Sequence, residues 1–176
     1  MQYHFVPMTA EYANAIVDGW QYGGEYALHD YANEAEHILD PASWGTGLFA
    51  VLDENQELVG ELTTEFFDAQ GEYVEYEDFD SRDLGEAELW VGFGLKPELT
   101  GRGLGAGFVS ACIAFALARH GYTGDYIRLG VPAFNQRAIK VYERLGFQIF
   151  NREQGEIDGK TFEAVQMKLL VKEFLS

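Results

Sequence analysis

Cysteine, proline and early positive charge are scarce in this 176-residue sequence: one Cys, four Pro, and no Lys or Arg before Arg82. A lone Cys112 excludes an internal disulfide, and no Cys/His spacing suits a structural zinc site, so packing must supply the stability. The longest uninterrupted apolar run, Ala111 to Ala118, is too short to cross a bilayer. Met1 to Tyr12 has no cationic stretch followed by an apolar one, so no secretory leader is expected and a reducing cytoplasm is the default compartment. With 12 basic against 29 acidic residues and a net charge of −17, the chain lacks the clustered cations that neutralise duplex phosphates. Neither nucleic acid nor membrane is an expected partner, and the four histidines form no spaced cluster that would bind a metal.

Apolar material is plentiful. With 47% hydrophobic residues, including three Trp, ten Tyr and thirteen Phe, the chain can offset its ordering entropy, and its length suits one domain over 1–176. Charge is unevenly placed: residues 1–52 hold seven acids and no bases, and 53–88 hold fourteen acids with only Arg82. Residues 96–152 reverse this, with eight bases, among them Arg102, Arg137, Lys140 and Arg144, against three acids. One part of the molecule is thus suited to an anion and another to a cation.

The pattern predicts a strand over Tyr3 to Val6 and a helix capped by Thr9 that runs to about Gly19. A weaker helix spans Tyr31 to Leu39, and Leu48 to Leu52 with Leu58 to Phe67 form an antiparallel hairpin. Asp68 to Gly85 is too acidic to assign. Ala87 to Leu95 reads as a central strand, and Leu104, Phe108, Ala111, Cys112, Phe115 and Ala118 mark the apolar stripe of the longest helix. A strand at Tyr126 to Val131 and a helix at Asn135 to Leu145 come next. Final strands at Phe147 to Phe150 and Thr161 to Leu170 flank a turn around Gly155 and Gly159. This order gives a mixed α/β domain, one sheet with helices on its faces.

Between the central strand and the longest helix lies Leu99-Thr100-Gly101-Arg102-Gly103-Leu104-Gly105-Ala106-Gly107. A helix start offers free N–H groups and the positive end of a dipole, and glycines let an anion approach the main chain; a diphosphate is the natural guest, with Arg102 beside it. No Lys lies between Lys96 and Lys140, so a P-loop is excluded. Gly101-x-Gly103-x-x-Ala106 satisfies the dinucleotide fingerprint, yet five residues separate it from its strand and Asp125 precedes a strand where a ribose-binding acid would follow one. A nicotinamide-dependent oxidoreductase is therefore the weaker reading.

The stretch Leu95 to Gly105 resembles the acetyl-coenzyme A binding motif of the GNAT N-acetyltransferase superfamily, and Asn135 to Phe147 is similar to that family's Asn-x-x-Ala-x-x-x-Tyr-x-x-x-Gly-Phe element. Thr100 departs from the usual Arg or Gln. The resemblance implies a mostly antiparallel sheet with a splayed parallel strand pair, flanked by helices, and acetyl transfer from acetyl-coenzyme A to a primary amine of a small molecule or peptide. It implies that Gly101, Arg102, Gly103, Leu104, Gly105 and Ala106 hold the diphosphate, that main-chain N–H near Gly94 and Leu95 stabilises the oxyanion, and that Asn135 and Ala138 flank the coenzyme arm. Tyr142 would protonate the departing thiolate. An alkylammonium has a pKa of about 10.4, so a base must take its proton; Glu88 on the central strand is the first candidate and Glu86 the second. Trp20, Tyr22 and Tyr26, in an acidic aromatic segment, are candidates for contact with a cationic acceptor. An acyl-coenzyme A sensor without turnover is the alternative from another class, and either a monomer or a homodimer is compatible with the sequence.

Overall fold

In the computed structural model, which describes residues 1–176, eight strands form one sheet. They are β1 (His4–Pro7), β2 (Leu48–Leu52), β3 (Leu58–Phe67), β4 (Tyr73–Val74), β5 (Glu88–Leu95), β6 (Tyr126–Pro132), β7 (Gln148–Ile157) and β8 (Lys160–Leu170). Seven lie in the order β1-β2-β3-β5-β6-β8-β7, with β4 beside β3. Every pairing is antiparallel except β5 with β6. That parallel pair is joined through α3 (Gly105–His120), the crossover such a connection needs.

Local chemistry explains most boundaries. Thr9 caps α1 (Ala10–Gly19) by accepting from the Tyr12 amide at 3.3 Å. Asp53 closes the β2–β3 turn, its carboxylate accepting from the Asn55 and Glu57 amides. Gly121 ends α3 in the left-handed conformation, with φ of 56°. Only the end of the predicted second helix is α-helical, α2 (Ala35–Leu39), because Tyr31–Glu34 winds as a 3-10 turn. The acidic stretch after Asp68 supplies β4 and a 3-10 turn at Tyr76–Asp78.

Two expectations need correction. Gly155 lies within β7, which continues to Ile157; the turn is Asp158–Gly159, both with positive φ, and Phe162 packs across the bare Gly155 backbone. The buried stripe of α3 is Phe108, Val109, Cys112, Ile113, Ala116 and Leu117, whereas Ala118 is exposed. Because α3 is apolar nearly all round, periodicity alone could not choose the buried face, and the sheet did.

The helices divide between the two sheet faces. α1 and α2 bury Met8, Ile16 and Ile38 against Leu48 and Ala50. α3 and α4 (Gln136–Arg144) close the larger core on the other face, with Phe108, Cys112, Ile113 and Ile139 against Leu62, Leu89 and Leu129. Phe108, one turn into α3, lies directly over Gly60, where any side chain would collide with its ring. This contact sets the height of the helix start above the sheet. Replacing Phe108 by Ala is expected to cost about 3–5 kcal/mol of stability, measured by equilibrium urea unfolding.

Candidate active site

Strands β5 and β6 pair at only two positions, Leu89 with Ile127 and Trp90 with Arg128, and then part. On its other side β5 stays paired to β3 as far as Leu95. The Lys96 amide donates to Val59 O on β3, so by the two-residue alternation of a strand the amides of Phe93 and Leu95 face the gap. The Gly94 amide faces β3, which corrects its expected role as a donor. Gly94 matters for its missing side chain: a Cβ there would collide with the Tyr31 hydroxyl and sit 3.0 Å from Glu61 Oε1.

The gap opens into a cavity of about 1010 Å³ that reaches from the start of α3 to the segment before α2. No intramolecular acceptor meets any main-chain amide from Gly101 through Gly107, and Leu104 at the helix N-cap supplies no side-chain cap. Gly101 and Gly103 have φ of 72° and 78°, a conformation that L side chains adopt with strain, and a Cβ on either would meet nothing. Seven free N–H groups at a helix start form an anion cradle. Thr100 lines the cavity, but its hydroxyl is spent on Pro97 O at 2.7 Å, so it does not replace the usual Arg or Gln.

Cations gather nearby. Arg137, Lys140 and Arg144 of α4 line the cavity, and neither Lys140 nor Arg144 forms an ion pair. Arg102 is exposed and unpaired but does not line the cavity, and neither does Leu104; the cradle is the backbone around them. Gly105 seats α3 on α4, since a Cβ would press to 3.1 Å of Val141 Cγ2. Ala106 and Ala138 line the cavity. Asn135 does too, yet both ends of its amide are committed: Oδ1 accepts from Ala138 N at 3.1 Å to cap α4, and Nδ2 stands 3.1 Å from His29 Nε2. Burial and the nearby Arg137 charge lower the His29 pKa, which keeps its ring able to accept from that amide.

Tyr142 projects from α4 between Phe93 and Phe147, with ring centroids 6.0 and 5.8 Å away. Tyr142 lines the cavity, and its hydroxyl makes no intramolecular hydrogen bond and is not sealed from solvent. Burial, with the negative charge of Glu61, raises its pKa well above the ordinary phenol range. It therefore holds its proton and is suited to donate it.

The acceptor candidates fare differently. Tyr22 and Tyr26 line the cavity; Tyr22 donates to Leu95 O at 2.8 Å, and Tyr26 lies under the Arg137 guanidinium at 4.4 Å. Trp20 is buried at the end of α1, edge-on to Tyr31, and supports that ring instead of facing the cavity. Glu88 does not reach the cavity. It lies where β5 and β6 are still paired, accepts from Trp90 Nε1 at 3.2 Å and stands 3.6 Å from Arg128. Glu86 precedes the strand and is exposed. The carboxylate at the gap is Glu61 of β3, opposite Gly94 and bonded to Tyr31 and Thr63. Its signal in the sequence was Glu61-x-Thr63-x-Glu65, a polar alternation within an apolar strand.

A cradle of free amides, strand amides aimed into a gap and an unbonded phenol together define a site for acyl transfer from a phosphate-bearing thioester. The model of the acetyltransferase (GNAT) family matches residues 11–147, and the chain belongs to that family, as an acetyl-coenzyme A-dependent N-acetyltransferase. A comparison with curated proteins gives no match. Among solved structures, a chimera of the spermidine N-acetyltransferase SpeG from Vibrio cholerae and hSSAT is 19% identical, with TM-score 0.65 and 100% of both chains covered. Vibrio cholerae spermidine N-acetyltransferase in complex with CoA and spermine is 18% identical, with TM-score 0.64 and 99% of both chains covered. At such identities the likeness is one of fold.

The free amides and unpaired cations suit the diphosphate of the family's co-substrate. Substituting Lys140 or Arg144 by Ala is expected to weaken coenzyme A binding by about 1–2 kcal/mol each. Titration calorimetry at low and high salt checks this, with the deficit shrinking as salt rises while thermal stability stays unchanged.

Proposed function

We propose that this protein acetylates a primary amine carried by a small polycationic molecule, by direct attack on the thioester with both substrates bound. The observation that carries the reading is the coincidence in one cavity of unpartnered amides of the glycine turn, those of Gly101, Gly103, Gly105 and Ala106, with the gap beyond Trp90 and with Tyr142. The amides and the cations on α4 fix the diphosphate, which positions the acyl group without acting on its bond. The co-substrate, when bound, supplies an activated acetyl group on a thiol leaving group. Phe93 and Leu95 N–H are the fixed donors toward the acyl oxygen, strongest where charge develops on it. Tyr142 supplies the proton the departing sulfur needs.

Charge selects the acceptor. Besides its cations the cavity is lined by Asp30, Glu34 and Glu61, and by Glu153 and Glu156 of β7. Such a surface attracts a molecule with several ammonium groups and repels anionic amines. The solved structure of similar fold that holds CoA and spermine supports the same substrate class. A polyamine is therefore favoured over a peptide amine.

A thiol-release assay against polyamines, aminoglycosides, peptides and free amino acids tests this. Polyamines are expected to show the highest kcat/KM and free amino acids the lowest; equal rates across the panel, or none, defeat the reading. Tyr142→Phe is expected to lower kcat by about 100-fold or more while coenzyme A affinity stays within about twofold. A sensor would retain affinity and show no turnover before or after the change.

A further inference from the structure

Of the 29 acidic side chains, Glu61 alone is buried, at 4% exposure, and no Lys or Arg pairs with it. A carboxylate removed from water without a cation is costly unless something in its surroundings uses it. Two neutral donors hold it. Tyr31 donates to Oε1 at 2.7 Å and Thr63 donates to Oε2 at 3.0 Å. Each oxygen retains accepting capacity, and Glu61 lines the cavity.

Gly94 sets where this carboxylate lies. Because residue 94 has no side chain, Tyr31 and Glu61 rest directly on the β5 backbone, one residue from the amides of Phe93 and Leu95. Side chains alternate across the sheet, so Glu61 approaches the gap from the α1/α2 face, whereas Tyr142, beside Phe93, approaches from the α3/α4 face. An amine bonded to Glu61 and an acyl group held under the strand amides would meet at the gap.

We propose, on the basis of the acetyl-transfer reading above, that Glu61 is the catalytic base of this enzyme and takes the proton of the incoming ammonium. One N–H bond breaks and one O–H bond forms on Glu61, leaving the nitrogen its lone pair. As the new C–N bond forms, the C–S bond breaks with its electron pair on sulfur, which takes the hydroxyl proton of Tyr142. The nitrogen's second surplus proton replaces the one Tyr142 gave. Glu61 returns its own proton to solvent through the Thr63 hydroxyl and the His37 ring, whose Nε2 lies 3.2 Å from Thr63 Oγ1. One proton is released per amide formed.

The groups facing Glu61 are Tyr22 and Tyr31 ahead of α2, His37 on α2, Tyr76, Cys112 on α3 and Tyr142 on α4, with Glu65 beyond His37 on the same face. The four tyrosines and Cys112 all have raised pKa values and stay neutral. Burial raises the Glu61 pKa, and the bonds from Tyr31 and Thr63 with the His37 charge partly offset it. A base must be ionised to act, so kcat/KM should climb with pH through the Glu61 titration.

The test uses the full chain with spermine as acceptor. Difference infrared titration of the free protein against Glu61→Gln is expected to show one carboxyl titrating above the ordinary range, with a midpoint matching the acid limb of wild-type kcat/KM. Glu61→Gln should lose that limb and about 100-fold or more in kcat/KM, with coenzyme A affinity by calorimetry within twofold. An alkoxyamine, already unprotonated at neutral pH, should lose far less. An active wild type whose Glu61→Gln variant stays within threefold at every pH, or whose carboxyl midpoint differs from the acid limb, overturns the assignment. A wild type inactive on every amine would instead defeat the acetyl-transfer reading. If Glu61→Gln does not fold, Tyr31→Phe and Thr63→Ala each remove one donor to the carboxylate. Each should move the acid limb to higher pH, and a stationary limb would count against Glu61.

Discussion

The whole site depends on the early parting of β5 and β6. Two parallel ladder pairs hold them together at Leu89 and Trp90; beyond that, the only strand paired with β5 is β3. A paired strand has no main-chain donors to spare. An unpaired one, backed by a neighbour that keeps it straight, presents amides at fixed positions in a place where substrates can enter. The gap is therefore both the opening of the cavity and the source of its most precisely placed donors.

The other components converge on that gap because the elements carrying them pack against the same strand. Phe108 fixes the start of α3 over Gly60, and Val141 fixes α4 beneath Gly105, so the free amides of the glycine turn face the cationic residues of α4. On the opposite face, Trp20 supports Tyr31, and Tyr31 holds Glu61 against Gly94. Three glycines with different duties make this possible. Gly60 admits an aromatic ring, Gly94 admits a hydroxyl and a carboxylate, and Gly103 provides a left-handed turn that keeps amides bare. The resulting cavity is lined both by cations of α4, Arg137, Lys140 and Arg144, and by carboxylates, among them Glu61.

Much of the fold was legible in sequence because its signals are local. Thr9, read as a cap from the sequence, is one in the structure, and Asp53 in its hairpin turn and Gly121 after α3 likewise act within four residues of themselves. The errors fell where the deciding contact is remote. Gly155 reads as a turn residue until Phe162 on the neighbouring strand covers it, and the buried face of α3 is ambiguous when almost every side is apolar. In the site, Tyr142 and the glycine turn were readable as spaced motifs. Glu88 is a candidate for its place on the central strand and Trp20 for its acidic aromatic segment, and strand register with core packing turns them elsewhere. Lys140 and Arg144 were visible only as part of a basic segment until α4 aligned them on one side.

By itself the sequence determined the glycine turn before a long helix, the Tyr142 element and the split between an acidic first half and a basic later segment, since composition and short-range spacing settle these. Only the tertiary structure decided which carboxylate stands at the gap. Glu61 is separated from Gly94 by 33 residues, and cross-strand register, which no local pattern encodes, sets the two opposite each other.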